Sequence, residues 1–90
     1  MEIEKMITLS TAHLSEQTRQ LLNDDETELV IYPKNGYGWF IYLDKLIQQP
    51  NKLPKDLQDC IELAQQMNCT ILCFDRDADT TSCLKQYNNI

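Results

Sequence analysis

The sequence predicts a small α+β domain whose elements follow the order β-α-β-β-α-β. Four short runs are rich in β-branched and aromatic residues, and two longer segments repeat apolar residues at helical spacing. The middle two β-prone runs are joined by a segment containing Asn35-Gly36, a dipeptide that readily adopts the positive φ angles of a hairpin turn. A chain of 90 residues can bury only one core, so we expect residues 1–90 to form a single domain.

The N-terminal part contains the first strand and the first helix. Residues 6–9 are β-prone and lead into the polar segment 10–13, which we expect to be a loop. Ser15 can cap the next helix because its hydroxyl can accept a hydrogen bond from a first-turn N–H, and the helix is predicted to end near Asn23. Residues 23–27 have turn chemistry and should be exposed. The predicted apolar face of this helix comprises Leu14, Thr18, Leu21 and Leu22.

The middle of the chain predicts a β-hairpin. Its strands are expected at residues 29–32 and 39–43, which are β-branched or aromatic. Gly38 would allow a bulge or the close approach of another backbone. Pro33 cannot donate a ladder hydrogen bond, so its strand should lie at an edge of the sheet.

The C-terminal part predicts a second helix and a fourth strand. The pattern breaks at residues 48–52, Pro54 is suited to a first helical turn, and Asn68 is suited to a helix end. A buried strand is expected at residues 70–74, followed by a tail that packs Leu84 and Tyr87. The helix should bury Leu57, Cys60, Ile61, Ala64 and Met67 and expose Asp56, Asp59, Gln65 and Gln66.

This element order is that of the ferredoxin-like split βαβ fold. We therefore expect a four-stranded antiparallel sheet in the order 4-1-3-2, with both helices on one face. Strand one would then deliver His13 to the same end as the hairpin turn, while residues 75–79 would emerge at the opposite end. A sheet in which strands one and four were parallel neighbours would instead bring His13 and Asp75 together.

The charge balance bears on the class of partner. Fourteen acidic and 8 basic residues give a net charge of −6, and the basic residues are scattered. Direct nucleic-acid binding is disfavoured because phosphate backbones are held mainly by Lys and Arg. A protein with a basic surface, including one in a nucleic-acid-binding complex, is the favoured partner, since opposite potentials steer association. The alternative is that the net charge only maintains solubility.

The chain has no apolar run long enough for a membrane span, and its start lacks the pattern of a secretory signal. We therefore expect a cytoplasmic protein with no membrane partner. Cys60, Cys69, Cys73 and Cys83 lack the paired spacing of a structural zinc site. The first three fall at predicted core positions and are interpreted as reduced, small hydrophobes. No motif for a phosphate, metal or organic cofactor is present, so no cofactor is predicted.

Three carboxylates, those of Asp75, Asp77 and Asp79, follow the last predicted strand. Their spacing matches the first three ligand positions of a calcium loop, but Thr80 and Gln86 occupy the positions where Gly and Glu are needed. No metal site is therefore predicted. The cluster is interpreted as a solvated strand end or as an acidic surface that contacts a partner.

His13 lies close in sequence to Ser10 and Thr11, as a general base and a nucleophile can. An orienting carboxylate and an oxyanion site have no sequence signature here. A catalytic site at these residues is thus the alternative hypothesis. The simpler interpretation is that His13 hydrogen-bonds backbone where strand one leads into the first helix.

The aromatic residues of the hairpin are candidates for partner contacts. Tyr37, Trp39 and Tyr42 can serve as rigid anchors in a binding pocket. Strand alternation places Trp39 on one face with Ile41 and Phe40 on the other with Tyr42, so the helices can cover only one pair. The uncovered pair would form an aromatic patch that binds a partner or a second copy in a homodimer.

Several segments together resemble a family of short, uncharacterised bacterial proteins often found on plasmids and phages. The resemblance covers about positions 6 to 78 and rests on Ser-Thr-Ala-His at 10–13, Tyr-Gly-Trp-Phe at 37–40, Cys60, Cys69 and Phe-Asp-Arg-Asp-Ala at 74–78. It implies a mobile-element setting, in which many small acidic proteins occupy sites on host defence machinery. The family supplies no catalytic residues.

The leading hypothesis is a non-enzymatic protein-binding module that inhibits a bacterial defence complex of the CRISPR or restriction type. Its acidic terminus and its exposed aromatic face would make the contacts. The alternative is a small hydrolase or ligand-binding domain centred on His13, Ser10 and Thr11.

Overall fold

The computed structural model describes residues 1, 3–24, 29–43 and 52–87. The predicted order of strands and helices is confirmed, whereas most of the predicted turn at 23–27 and of the break at 48–52 lies outside the described residues. The elements are β1 (Met6–Ser10), a 3-10 turn (Thr11–His13), α1 (Glu16–Asn23), β2 (Val30–Pro33), β3 (Gly38–Tyr42), α2 (Lys55–Gln66) and β4 (Ile71–Asp75).

The four strands form a mixed sheet in the order β1-β4-β3-β2. β1 runs parallel to β4, while β3 is antiparallel to both β4 and β2. The prediction of a fully antiparallel, ferredoxin-like sheet in the order 4-1-3-2 is therefore wrong. The expected order placed β4 at an edge, whereas β4 is an inner strand paired with β1 and β3, and its residues Leu72, Cys73 and Phe74 are all buried. The order of elements along the chain does not by itself decide which distant strands pair.

Both helices pack on one face of this sheet, as predicted. Strand alternation directs Leu9, Ile41 and Phe74 to that face, where they join α1 and α2 residues in one core cluster. The core residues of α2 are Leu57, Cys60, Ile61 and Ala64, whereas Met67 follows the helix and is exposed.

Both helix caps predicted from sequence are present. Ser15 caps α1, its hydroxyl accepting a hydrogen bond from the Thr18 backbone N–H. Asn68, just beyond α2, has a φ of 60°, the left-handed conformation that ends many helices. β2, which contains Pro33, is an edge strand, also as predicted.

Asp56 is buried, which corrects the prediction that it faces water. Its carboxylate accepts hydrogen bonds from the Ser15 backbone N–H (2.8 Å), the Thr18 hydroxyl (2.7 Å) and the Leu57 backbone N–H (3.0 Å). A buried carboxylate is tolerated when its oxygens are hydrogen-bonded in this way. Asp56 thus joins the beginnings of α1 and α2.

The hairpin turn has the predicted chemistry. Asn35 and Gly36 have φ angles of 46° and 81°, and the Tyr37 backbone N–H donates to the Lys34 carbonyl across the turn (2.8 Å). Gly38 allows the close approach of another backbone: a Cβ placed there would overlap the Phe74 carbonyl oxygen of β4. Only glycine fits this contact between β3 and β4.

We predict that Gly38→Ala destabilises the fold by about 3 kcal/mol or more, because the new methyl group meets backbone of an inner strand that cannot move aside. Gly36→Ala is the matched control, since a Cβ there meets nothing within 4 Å and only the left-handed backbone is strained. It should cost about 1–2 kcal/mol. Urea unfolding of both variants measures the difference, and equal losses would contradict the proposed close contact.

Candidate binding surface

The parallel pairing of β1 and β4 gathers polar residues at one end of the sheet. Asp75 lies beside Ser10 of β1 and beside Gly38 of β3. His13, the hairpin turn and the loop after β4 therefore lie at the same end. The prediction that Asp75, Asp77 and Asp79 emerge at the opposite end from His13 is wrong, because it assumed the antiparallel order.

Asp75 uses both carboxylate oxygens within the fold. One accepts a hydrogen bond from Lys34 Nζ at 2.7 Å, and the other accepts the Asp77 backbone N–H at 2.9 Å. The hydrogen bond from Lys34, aided by that of Asp77, lowers the pKa of the Asp75 carboxyl. Asp75 therefore closes the loop, and Asp77 and Asp79 are the cluster members exposed to solvent.

We call residues 75–79 the acidic loop. It does not assemble a metal centre in the described part of the chain, where no group of three His, Cys, Asp or Glu residues has a suitable arrangement. What the loop presents instead is negative charge on Asp77 and Asp79, adjacent to the Lys34–Asp75 ion pair. Surface charge of this kind acts on a partner mainly by steering its approach.

His13 is buried and binds backbone through both ring nitrogens. Its Nε2 accepts the Thr81 backbone N–H at 3.0 Å, so Nδ1 carries the proton that is donated to the Lys85 carbonyl, also at 3.0 Å. A further bond joins the Tyr87 backbone N–H to the Ala12 carbonyl. The 3-10 turn thus holds the C-terminal segment against the domain.

The Ser10 hydroxyl near His13 binds backbone as well. Ser10 is buried and accepts the Ala12 backbone N–H at 3.1 Å, as the cap of the 3-10 turn. Thr11 lies at the edge of a surface pocket. Since both His13 nitrogens are bound to backbone, the ring has no nitrogen left to activate either hydroxyl.

The buried Cys60 thiol lacks the properties of a nucleophile. All four cysteines are free, and Cys60, Cys69 and Cys73 are buried, as predicted, whereas Cys83 is exposed. Burial, with the nearby Asp56 and Asp59 carboxylates, raises the pKa of the Cys60 thiol to about 12. Cys60 is therefore fully protonated at neutral pH and acts as a small core residue.

The face of the sheet opposite the helices is apolar and accessible. We call it the open face. Tyr32 and Tyr42 are 55% and 39% exposed, and Met6 and Val30 are each 50% exposed. These fractions are unusual for large apolar side chains that lie together on one sheet. The open face consists of Met6, Thr8, Val30, Tyr32, Phe40, Tyr42, Ile71 and Cys73.

Ring contacts involve three aromatic side chains of the open face. The rings of Tyr32 and Tyr42 pack edge to face, with centroids 5.5 Å apart. Lys34 Nζ lies 5.5 Å from the centroid of Phe40, which places a cation between the aromatic residues and Asp75. The predicted division of the hairpin aromatics is confirmed: Phe40 and Tyr42 are on the uncovered face.

The remaining aromatic candidates lie elsewhere. Trp39 is on the core face and buried, so it is not the exposed anchor that the sequence suggested. Tyr37 is exposed in the hairpin turn, with the guanidinium carbon of Arg76 4.5 Å from its ring centroid. Lys34, which links the open face to the acidic loop, was not identified from sequence because its partner Asp75 lies 41 positions away.

The fold and this surface define a small α+β domain with an apolar sheet face bordered by an acidic loop. The chain belongs to a family of unknown function, DUF5983, whose C-terminal domain model matches residues 6–89. Comparison with curated proteins and with solved structures gave no match. Within the described residues, no helix is long and apolar enough to cross a membrane.

We predict that Asp75→Asn lowers stability at neutral pH and that the loss shrinks in acid. Because the pKa of Asp75 is lowered by folding, its stabilising effect is complete above the usual carboxyl pKa of about 4 and disappears as the pH falls through the lowered value. Urea unfolding at several pH values measures this. Asp77→Asn is the control, since it removes an exposed carboxylate and leaves the Lys34 bond intact; a difference between variant and wild type that is independent of pH would contradict the prediction.

We also predict that His13→Ala frees the C-terminal segment and costs about 2–4 kcal/mol, through a lost buried ring and two lost hydrogen bonds. Hydrogen exchange should accelerate at the Thr81 and Tyr87 amides more than in the sheet. Cys83→Ser, an exposed change in the same segment, should leave exchange unchanged. Unaltered protection of Thr81 in the His13 variant would show that the ring does not hold this segment.

Proposed function

We propose that this chain is a non-enzymatic module that binds a protein with a basic surface. The observation that carries the proposal is the open face, where Tyr32, Tyr42, Met6 and Val30 are all substantially exposed on one side of a sheet. Monomeric soluble domains rarely leave such a contiguous apolar surface without a partner. Tyrosines held by ring packing suit a binding role, because little side-chain freedom remains to be lost on association.

The charge of the chain supports the choice of partner. The net charge is −6, and the exposed carboxylates of Asp77 and Asp79 lie in the loop that follows β4. A partner with an apolar centre and a basic rim would match both features, since interfaces combine a buried apolar core with a polar border. Negative charge at the rim would mainly increase the rate of association.

Within this class we propose a nucleic-acid-handling complex of a bacterial defence system, of the CRISPR or restriction type, as the partner. Such complexes present basic surfaces to nucleic acid, and a small acidic domain can compete for them. This step rests on the mobile-element setting implied by the sequence resemblance. The alternative, a hydrolase or ligand-binding domain centred on His13, has less support because the backbone occupies both ring nitrogens.

The proposal predicts that a double variant, Tyr32→Ser with Tyr42→Ser, weakens partner binding tenfold or more, because aromatic anchors dominate interface energies. Asp77→Lys should slow association, with the largest effect at low salt. The measurement is quantitative affinity capture from a bacterial lysate with wild type and variants, followed by binding kinetics on the purified partner. Circular dichroism verifies that each variant is folded.

Glu62→Lys is the matched control for Asp77→Lys, because it makes the same charge change at an exposed position of α2, away from the open face. If both changes slow association equally, the effect of Asp77→Lys comes from the net charge of the chain and not from the position of the acidic loop. Sedimentation of the pure chain tests for a homodimer on the open face. If every protein captured by the wild type is captured equally well by the double variant of Tyr32 and Tyr42, the proposal is contradicted.

A further inference from the structure

A second surface differs from the rest of this acidic chain in its charge. A pocket of about 240 Å³ lies between α1 and the hairpin turn, at the polar end of the sheet. Its charged lining residues are Arg19 and Arg76, and no carboxylate lines it within the described part of the chain. The other lining residues are Thr11, Asn23, Pro33, Gly36, Tyr37, Gly38 and Trp39.

Arg19 brings a buried donor that nothing in the described protein satisfies. Its Nε atom is shielded from solvent and has no hydrogen-bond partner among the described residues. An unpaired N–H of a charged group is costly where water does not reach it. The Asp75 carboxylate, at the same end of the sheet, is already bound by Lys34 and by the Asp77 N–H.

Arg76 is held in an orientation suited to an anion. Its guanidinium carbon lies 4.5 Å from the Tyr37 ring centroid, in a cation–π contact. Its backbone N–H donates to the Tyr37 carbonyl at 2.8 Å, which anchors the residue to the hairpin. A guanidinium that packs against an aromatic ring keeps N–H donors at its edge, and these can bind two oxygens of one ligand.

From these observations we propose that the pocket binds a phosphate-type oxyanion, either free phosphate or a phosphomonoester group. Two guanidinium groups match the double negative charge of phosphate, and the Thr11 hydroxyl and Asn23 amide add neutral donors. A carboxylate would use fewer of these donors. The pocket includes residues of α1 and the core-face residues Pro33 and Trp39, so it lies away from the open face, although Arg76 belongs to the acidic loop. The inference does not rest on the function proposed above.

The test is a titration of the ¹⁵N-labelled full chain with inorganic phosphate, and in a parallel arm with O-phosphoserine, at constant ionic strength. We expect saturable shifts of the Arg19 Nε–H resonance and of the Arg76 and Gly38 amides. Saturation by both probes indicates recognition of the phosphate group itself. Saturation by phosphoserine alone places the ligand on a phosphorylated molecule, and saturation by phosphate alone indicates the free ion.

Arg19→Gln and Arg76→Gln should each weaken binding about tenfold, because each removes a charge-assisted, two-pronged contact. Lys52→Gln is the matched control, since it removes the same charge from an exposed position outside the pocket. Arg19→Lys keeps the positive charge but lacks the paired N–H donors of a guanidinium group, so it should also bind phosphate more weakly. The amide spectrum of this variant shows whether it is folded. Shifts that fail to saturate with either probe, or equal weakening by Lys52→Gln, would overturn the proposal.

Discussion

The parallel pairing of β1 with β4 is the constraint on which the rest of the molecule depends. It places β4 inside the sheet between β1 and β3, where Leu72, Cys73 and Phe74 are all buried. It also brings the ends of β1 and β4 together, with the hairpin beside them. The polar end of the domain includes the His13 region, the acidic loop and the pocket lined by Arg19 and Arg76, here called the arginine pocket. These features lie together because β1 and β4 are neighbours that run in the same direction.

Polar side chains that resemble catalytic groups serve here to hold segments together. Asp56 receives three hydrogen bonds and joins the two helices, His13 binds the C-terminal segment, and Asp75 closes its own loop. A buried carboxylate or ring nitrogen that loses its hydrogen-bond partner costs about 1–3 kcal/mol of stability. The exposed Lys55–Asp59 pair contributes far less, since water screens it. The buried polar residues are therefore explained by stability.

Local features of the fold were predictable because their causes are local. The Ser15 cap, the Asn35-Gly36 turn and the alternation that exposes Tyr42 each depend on a few adjacent residues. Gly38 was recognised as a site of close approach, although its neighbour Phe74 could not be named from sequence.

The strand order was not predictable in the same way. It depends on which distant strands pair, and both arrangements satisfy the same apolar pattern. The error carried over to the placement of Asp75, whose partner Lys34 became identifiable only once β4 lay beside the hairpin. The apolar pattern of α2 alone places Asp56 on the exposed side of the helix. Its burial depends on a hydrogen-bond donor in α1, the Thr18 hydroxyl, which that pattern does not reveal.

The two proposed sites differ in how the overall charge acts on them. A net charge of −6 attracts a basic partner toward the open face but repels a phosphate ion approaching the arginine pocket. Salt at 0.1 M screens charges over about 10 Å, so it weakens both long-range effects while leaving short contacts within the pocket less affected. Added salt would therefore slow association at the open face and would lessen the repulsion of an anion from the pocket. The pocket must depend on its two guanidinium groups at close range, which is why Arg19 and Arg76 matter individually.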